Sequence, residues 1–542
     1  MDTLPKKQSD DSFSFAGAYP AEPNVSPVQS PPVPSQAGDP LSPSVPEPFN
    51  PVPPQTPQSP GGVVSTVPQE PFPPDNAPVV SGIPEGISPP IPPDNPFVVP
   101  APEPPPPKNS SGIVKRLLGI IILIVALIVL GVVGFKVVGQ LLTRNQPTVL
   151  TYWGLWENEQ VLTSLIAKYK QTHPNVEISY SKQSPKQYRE RLQAAIERGD
   201  GPDIFRFHAS WLPMLKNDLA AAGATGYQAA EFQTTFYPVA AKDLIVSGKV
   251  YGVPLMIEGL GLYYNEDLLR AGGILPPTTW EEFRAAALAL TVRNEAGEIV
   301  TSGAALGTTN NVEHYSDIVG LMMLQNGADA TKPTSKEAQD SLSFYHLFAE
   351  EPNRVWNETL DNSITAFASG RVAFIFAPSW QVFTIRDINP NLKFQVIPVP
   401  QLPGTTVTWA SYWVEGVASK SKQTDAAWEF LKFLSSRESM VSLYTEQAKL
   451  RPFGEPYSRV DLAQTIINDP YVGAYIKQAQ TAQSFFLASR TFDNGINDRM
   501  IKYLEDAINS LGKGVSVAAA LETASQGFTQ VLNSFGYSPS AR

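Results

Sequence analysis

The strongest constraint on this chain is an uninterrupted apolar run from Leu117 to Phe135. It reads LLGIIILIVALIVLGVVGF and contains neither a charge nor a hydrogen-bonding side chain. At a helical rise of about 1.5 Å per residue, a run of this length just crosses the hydrocarbon core of a bilayer. A helix satisfies its own backbone hydrogen bonds, so it is stable in lipid. The run predicts one transmembrane helix, over residues 113–139, which divides the chain into two dissimilar parts.

Two other interpretations of the run are disfavoured. A buried helix of a soluble core normally shows a polar face, and this run has none. A cleavable signal peptide begins close to residue 1, whereas more than a hundred residues precede this run. The absence of cysteine also excludes disulfides, thiolate metal sites, cysteine nucleophiles and a lipid-modified N-terminal cysteine. We therefore expect the helix to remain in the protein as its anchor.

The part of the chain before the run is rich in proline. Residues 1–107 contain 33 of the 53 prolines and lack the apolar periodicity that a hydrophobic core requires. Proline has no backbone N–H and favours polyproline II, so residues 1–112 are predicted to form a disordered tail. The tail is interpreted as a spacer, with a ligand for proline-binding modules as the alternative. Three basic residues closely precede the run and two follow it, which favours a cytoplasmic N-terminus.

The part of the chain after the run has an α/β pattern. Residues 140–147 are expected to be a short tether. Beyond the tether, apolar residues in buried or alternating runs predict strands, and apolar residues at helical spacing predict helices. The predicted strands are Val149–Trp153, Val176–Tyr180 and Ile204–Phe207, and the predicted helices are Glu159–Lys170 and Tyr188–Arg198. This order implies parallel strands joined by right-handed crossovers.

The ends of these three strands indicate where a ligand would bind. In open α/β sheets, ligands bind beyond the carboxyl ends of the strands. The segments that follow the predicted strands are Gly154–Glu157, Ser181–Ser184 and His208–Trp211. We expect these segments to surround one crevice.

Seven segments of this part follow the order and spacing of a known family. They read TYWGLWENEQVLTSLIAKYKQTHPNVEISY, RGDGPDIFRF, YGVPLMIEGLGLYYNEDLLRAGG, PPTTWEEF, ASGRVAFIFAPSW, ASYWVEGVASKS and DAAWEFLKFLSS. From about residue 148 to about residue 530, the chain resembles the extracellular solute-binding protein family 1. That family includes the maltose-binding-type receptors of ABC importers.

The resemblance implies a two-lobed α/β fold of the periplasmic-binding-protein type, with the ligand held between lobes that the chain crosses several times. By analogy, the first lobe comprises residues 148–257 plus 409–452, and the second comprises residues 258–408 plus 453–542. A disordered tail and one transmembrane helix would precede these lobes. Within the first lobe, the strand and helix pattern supports the same fold class independently.

A carbohydrate cleft needs aromatic rings for the C–H faces of sugar rings, and polar groups for their hydroxyls. All nine tryptophans follow the apolar run. The residues expected to contact a ligand are Trp380, Glu258, Glu313, Tyr315, Trp156, Glu157, Ser210, Trp211, Trp409, Trp413 and Arg451. Trp380 lies at a strand-to-helix junction, where it resembles the stacking tryptophan of the family, although a core role is the alternative. Glu258 resembles a family carboxylate that reaches the ligand, with a hinge hydrogen bond as an equal alternative.

Two further segments carry family expectations. Glu313 and Tyr315 match a Glu-x-Tyr pair of the second lobe. In relatives a segment near the C-terminus brings an aromatic ring to the ligand, and here Asn497-Asp498-Arg499 aligns with it, so a polar contact is expected instead. The acidic loop Asp493–Asp498 lacks the spacing of a calcium loop, and a capped turn before a helix is favoured.

Enzyme motifs are missing from the sequence. Gly-x-Ser-x-Gly, Walker A and His-Glu-x-x-His do not occur, and the four histidines are scattered. A net charge of −11 without a basic cluster argues against a nucleic-acid partner. Paired carboxylates in a sugar cleft also occur in glycosidases, but the resemblance is to a binding family. We therefore expect no catalytic residues, no metal and no cofactor.

These features together predict a membrane-anchored receptor. It would bind a carbohydrate, specifically an oligosaccharide, outside the cell and deliver it by lobe closure to the permease subunits of an ABC importer. The protein is expected to be a monomer in the cell membrane, with a cytoplasmic tail and an extracellular binding domain. The alternative is a surface sensor or adhesion module with the same binding fold.

Overall fold

The structure, a computed structural model, describes Arg116, residues 118–132 and residues 147–537. The predicted disordered tail and the tether up to residue 146 lie outside the described residues. Residues 118–132 form helix α1, whose apolar side chains are exposed. Among the described helices, none combines the length and the apolarity that crossing a membrane requires. The predicted transmembrane run also includes Leu117 and residues 133–135, which lie outside the described residues, and the anchor therefore stays a proposal.

Residues 147–537 alternate between strands and helices. The strands are β1 (Thr148–Gly154), β2 (Val176–Lys182), β3 (Ile204–His208), β4 (Ile245–Val246), β5 (Lys249–Val250), β6 (Val253–Pro254), β7 (Gly261–Asn265), β8 (Val292–Arg293), β9 (Ile299–Ala304), β10 (Val372–Ala377), β11 (Phe394–Ile397), β12 (Thr408–Ala410), β13 (Trp413–Val417) and β14 (Ala482–Ser484). The helices are α2 (Glu159–Thr172), α3 (Tyr188–Arg198), α4 (Leu212–Leu215), α5 (Ala229–Thr235), α6 (Pro238–Leu244), α7 (Glu266–Gly272), α8 (Trp280–Ala289), α9 (Tyr315–Gln325), α10 (Lys336–Leu347), α11 (Ser363–Ala368), α12 (Gln381–Ile388), α13 (Thr424–Leu434), α14 (Arg437–Ala448), α15 (Ala463–Ile466), α16 (Gly473–Gln478), α17 (Ile496–Leu511) and α18 (Val517–Ser534). Short 3-10 turns occur at Ala209–Trp211, Val460–Leu462 and Ala479–Thr481.

The first sheet has the strand order β2-β1-β3-β13-β6. Strands β1, β2 and β3 are parallel, and β13 is antiparallel to β3. The parallel pairing was predicted from the strand and helix order and is confirmed. Asp203 stabilises the start of β3, because its carboxylate accepts hydrogen bonds from the Thr151 backbone and hydroxyl and from Ser421. Amphipathic helices cover the sheet; Trp428 of α13, predicted to pack, is fully buried.

The second sheet has the strand order β11-β7-β10-β9-β8. Strand β10 is parallel to β9 and antiparallel to β7. Its residues are buried throughout and read as a continuous apolar run, as expected for a strand covered on both faces. Helix α8 begins with a capping box in which Thr279 and Glu282 each accept from the other's backbone N–H, which confirms the predicted cap.

The two sheets are connected by segments that lie side by side. The backbone N–H of Ser411 donates to the carbonyl oxygen of Glu258, and that of Ile257 donates to the carbonyl oxygen of Pro456. Gly259 and Ala410 form an isolated antiparallel bridge. These contacts bring the segment after β6, the segment before β13 and the segment after α14 together between the sheets.

Gly259 is expected to be intolerant of a side chain. A Cβ atom at this position would overlap the carbonyl oxygen of Trp409. Because the connecting segments are held by backbone contacts, we expect Gly259→Ala to lower the free energy of unfolding by about 2–3 kcal/mol. Thermal unfolding measures the loss. Gly512→Ala is the matched control, since nothing lies within 4 Å of that Cβ position, and equal stability of the two variants would contradict the expectation.

Candidate functional site

A cavity of about 550 Å³ lies between the two sheets of residues 147–537. On the side of the first sheet, the cavity is lined by Trp156 after β1, by His208 at the end of β3, and by Ser411 and Trp413 before and at the start of β13. The start of α9, helix α11 and the junction between β10 and α12 line it on the side of the second sheet. Its remaining walls come from residues 256–260, 451–455 and 489–492. Of the three segments predicted to surround a crevice, Gly154–Glu157 reaches the cavity through Trp156 and His208–Trp211 reaches it through His208, whereas Ser181–Ser184 does not line it.

Three of the eleven predicted contact residues are tryptophans that line the cavity from opposite sides. On the first side, Trp413 contacts Trp156 edge to face, with ring centroids 5.4 Å apart. On the second side, Trp380 is 37% exposed and contacts His314 edge to face at 5.6 Å. This exposure distinguishes Trp380 from the almost fully buried tryptophans of the fold, which include Trp211, Trp280, Trp356 and Trp428. The arrangement presents flat apolar faces to the cavity from both sides.

Three predicted polar residues also line the cavity, namely Glu258, Glu313 and Arg451. The Glu313 carboxylate is held by the Arg490 guanidinium and accepts a hydrogen bond of 2.8 Å from Asn362 Nδ2. Arg451 donates from Nε to the carbonyl oxygen of Phe453. Both charged groups are thus fixed by neighbours before any ligand enters.

Glu258 is a buried carboxyl group at the first connection between the sheets. Its Oε2 accepts a hydrogen bond of 3.1 Å from the backbone N–H of Ser379, and its Oε1 accepts one from the Ser379 hydroxyl. Burial raises the pKa of Glu258 to about 7, although the hydrogen bonds from Ser379 oppose the rise. The side chain forms the backbone hydrogen bond considered from the sequence, here with Ser379, and it also lines the cavity, while its contact with a ligand stays a prediction.

The raised pKa of Glu258 predicts a pH dependence of stability. Below about pH 4.5 the carboxyl is protonated in both states and contributes no difference. Between about pH 4.5 and 7 the unfolded state releases its proton first, so stability falls as pH rises, and the cost of about 3 kcal/mol is constant above pH 7.

Glu258→Gln is expected to remove this cost. The stability of the variant relative to that of the parent protein should therefore increase from pH 5 to pH 8, as measured by chemical unfolding at both pH values. Glu522→Gln, at an exposed position of α18, controls for the lost charge. Parallel pH profiles for Glu258→Gln and the parent would show that Glu258 is not the titrating group.

Five predicted contact residues lie outside the cavity lining. Trp409 is buried and donates from Nε1 to Asp317 Oδ1 at 2.9 Å. Trp211 is buried behind Trp413, with ring centroids 5.3 Å apart. Tyr315 begins helix α9 two residues after Glu313 and is partly buried among core residues. None of these three residues lines the cavity, because their rings pack on neighbouring elements, and their contact with a ligand stays an unsupported prediction.

The other two of the five are Glu157 and Ser210. Glu157 is buried in an ion pair with Arg206, whose Nη1 lies 2.6 Å from Glu157 Oε2. The second partner of Arg206 is Glu415, 2.6 Å from its Nε. Ser210 accepts a hydrogen bond from Asn497 Nδ2. Both predicted contacts are replaced by internal partners, and for Glu157 the reason is that an ionised group in the core requires a countercharge.

The expected polar contact in the segment 497–499 is also replaced. Asn497 is fully buried and is held by Asp493 and Ser210. The Asp493 carboxylate accepts from the backbone N–H groups of Gly495, Asn497 and Asp498, so a capped turn occurs as predicted, although α17 begins at Ile496, inside the predicted loop. Phe492, 39% exposed and with a positive φ of 57°, lines the cavity instead. Across the described residues, no group of three or more metal-ligating side chains occurs.

Among the lining residues, Asp317 and His314 were missed by the sequence analysis, whereas His208 belongs to a segment that was predicted to border the crevice. Asp317 accepts from Trp409 Nε1 and, at 3.1 Å, from the backbone N–H of Ser489, and burial raises its pKa to about 6. His208 and His314 are fully buried, which lowers the pKa of each to about 3, so both imidazoles are neutral. In the sequence, Asp317 could be noticed only as an acidic residue in the first turn of α9. The scattered positions of the histidines did not indicate that any of them share a cavity.

Comparisons with known proteins agree with this architecture. The family profile described as bacterial extracellular solute-binding protein matches residues 164–470, which is more than half of the chain. The chain is 22% identical over 309 residues to the multiple sugar-binding protein of Streptococcus mutans, covering 53% of this chain and 71% of the relative. It is 22% identical over 304 residues to the maltotriose-binding protein of Pyrococcus abyssi, covering 54% and 63%.

Solved structures share the fold. A cyclo/maltodextrin-binding protein complexed with maltotetraose superposes with a TM-score of 0.60 at 20% identity, covering 71% of this chain and 98% of that chain. The cyclic α-maltosyl-1,6-maltose binding protein from Arthrobacter globiformis superposes with a TM-score of 0.59 at 20% identity, covering 72% and 100%. These matches show the two-lobed α/β solute-binding fold.

Proposed function

Because the chain belongs to the bacterial extracellular solute-binding proteins, we propose that it binds an oligosaccharide in the cavity between the two sheets. Members of this family are receptors rather than enzymes, and the relatives named for a ligand are sugar-binding proteins. By the same analogy, residues 148–257 plus 409–452 form the first lobe, and residues 258–408 plus 453–542 form the second. The protein acts as a monomer.

The observation that carries the proposal is the opposed set of tryptophans. Trp156 and Trp413 approach the cavity from the first sheet, and Trp380 approaches it from the second. Aromatic faces pack on the C–H faces of sugar rings, and the fixed carboxyl and guanidinium groups between them suit hydroxyl groups. A ligand that contacts both sides stabilises the arrangement in which both sides are close, so binding shifts the population toward the closed form.

A binding screen with the full-length protein in detergent tests this function. Maltose-, mannose- and cellulose-type oligosaccharides are added, and thermal stabilisation and calorimetric affinity are measured. The expected result is stabilisation by at least one oligosaccharide series, with release of the ligand unchanged in composition. Stabilisation by a peptide or a metal complex, with no response to any saccharide, would overturn the proposed ligand class.

The proposal includes a membrane anchor at residues 113–139. It is supported by the apolar composition of residues 117–135 and by the exposed apolar side chains of helix α1. An anchor holds the cavity near the bilayer, which raises its effective concentration at a permease. In membrane fractions the protein should resist extraction by alkaline carbonate, and protease added outside intact cells should digest residues 148–537. Release of the full chain by carbonate would remove the anchor from the proposal.

Delivery to an ABC permease is proposed from the family alone. The alternative, a sensor or adhesion module, uses the same cavity and predicts the same binding. Uptake of a labelled ligand separates the two functions: loss of uptake in cells lacking this protein supports import. Unchanged uptake, together with intact binding by the purified protein, supports the alternative.

A further inference from the structure

The cavity wall carries an imbalance of charge. Six charged side chains line it: Glu258, Glu313, Asp317, Glu455, Arg451 and Arg490. Arg490 is paired with Glu313, and Arg451 Nη2 lies 3.7 Å from Glu455 Oε1. Within residues 147–537, neither Glu258 nor Asp317 forms a salt bridge with a lysine or an arginine, although the Arg451 charge acts on Glu258 at longer range and lowers its pKa. His314 lies 3.9 Å from Asp317, but its imidazole is neutral because burial lowers its pKa to about 3.

Glu258 and Asp317 both form hydrogen bonds with residues 409–411, which precede β13. Asp317 accepts from the indole of Trp409, and the carbonyl oxygen of Glu258 accepts from the backbone N–H of Ser411. Burial raises the pKa of both groups, to about 7 for Glu258 and about 6 for Asp317. A buried carboxylate without a countercharge is the arrangement that a cationic ligand group stabilises most.

A third carboxyl group, that of Glu455, adds to the acidic character of the cavity wall, although it is paired with Arg451 and interacts with Glu157. The Glu455 side chain is only 10% exposed and lines the cavity. Its Oε2 atom is buried and has no hydrogen-bond donor among the described residues. Behind it, Glu157 and Glu415 already share the single guanidinium of Arg206. Burial, with the nearby Glu157 charge, raises the pKa of Glu455 to about 8, although the charges of Arg206 and Arg451 oppose the rise.

The aromatic walls favour a cation as well. The faces of Trp156, Trp380 and Trp413 carry negative partial charge, which attracts ammonium groups within about 6 Å. A neutral sugar only stacks on these rings, whereas the ammonium group of an amino sugar is also attracted to their faces. The cavity wall therefore combines aromatic faces with four carboxyl groups and only two guanidinium groups among the described residues.

We propose that the cavity prefers saccharides carrying free amino groups over neutral or N-acylated saccharides of the same length, with Glu258 and Asp317 as the residues that set this preference. The proposal rests on the proposed function and names the ligand class of the same cavity. An ammonium group on a hexosamine ring would pair with one of the two carboxylates while the ring stacks on tryptophan.

The test compares three matched trisaccharides with the full-length protein in detergent at about pH 7. They are β-1,4-linked glucosamine trisaccharide, its fully N-acetylated counterpart and cellotriose, and calorimetry measures the affinity for each. The expected result is about tenfold or tighter binding of the free amine relative to both others. Equal affinity for the three would overturn the inference while leaving the proposed function intact. Binding of spermidine, with no binding of any saccharide, would overturn both.

Substitutions test which residues cause the preference for the amino saccharide. Glu258→Gln is expected to reduce the preference for the amine to about twofold or less, and Asp317→Asn, judged by the same ratio, is the second variant. Thermal unfolding identifies a variant that has failed to fold. Glu522→Gln removes one negative charge at an exposed position and is expected to leave the ratio unchanged. If both cavity variants retain the tenfold ratio while folded, the assignment to these carboxyl groups is overturned.

Discussion

Replacing Trp380 with alanine is expected to weaken saccharide binding by roughly 30- to 100-fold, with little change in protein stability. Trp380 is 37% exposed and lines the cavity at the start of helix α12. Among residues 147–537, it is the only tryptophan that lines the cavity on the side of the second sheet, so its loss removes one of the two opposed stacking faces. Central aromatic anchors typically account for 2 kcal/mol or more of binding free energy. Calorimetric titration with the best saccharide from the screen measures the effect.

The matched control is Trp153→Ala. Trp153 is also a partly exposed tryptophan, on β1, but it does not line the cavity. We expect this variant to lose some stability and to retain the parent affinity. The opposite pattern, with Trp380→Ala binding normally and Trp153→Ala binding weakly, would move the ligand site away from the cavity.

Replacing Arg206 with methionine is expected to lower the free energy of unfolding by about 3–5 kcal/mol, which corresponds to a fall of roughly 10 °C in Tm. Arg206 is fully buried in β3 and pairs with Glu157 and Glu415, both at 2.6 Å. Without the guanidinium, two carboxyl groups remain in the core with no countercharge. Burial alone would raise the pKa of Glu157, and the Arg206 charge holds it below its usual range instead.

Two comparisons separate this effect from lost packing. Arg198→Met alters an exposed arginine beside Asp200 and is expected to change stability by less than about 1 kcal/mol. Adding Glu157→Gln and Glu415→Gln to Arg206→Met removes the orphaned charges and should restore part of the lost stability. If the triple variant is no more stable than Arg206→Met, the network is not held by charge pairing.

Local structure in the first lobe was predictable because it depends on neighbouring residues. The predicted helix Tyr188–Arg198 coincides with α3, and the predicted strand Ile204–Phe207 is one residue shorter than β3. Apolar periodicity and the Gly199 terminator act within a few residues, so they can be seen without the fold. The same holds for the Thr279 cap of α8.

Side-chain direction at the site was not predictable in this way. Trp409 and Trp413 lie four residues apart beside the same connection, yet Trp413 lines the cavity and Trp409 is buried. The difference arises because Asp317, 92 residues away, accepts the indole proton of Trp409. Likewise Glu157 looked available at the end of β1, and only the folded chain places Arg206 against it.

By itself the sequence determined the apolar run, the parallel α/β start of the binding region, the family and the residue types of a carbohydrate cleft. These follow from composition, periodicity and ordered motifs, which are properties of short segments. The tertiary structure alone decided which tryptophans face the cavity, which carboxyl groups are countered and which are not. Those outcomes depend on contacts between residues far apart in the chain, such as Arg206 with Glu415, and no local pattern encodes the distance or direction of such contacts.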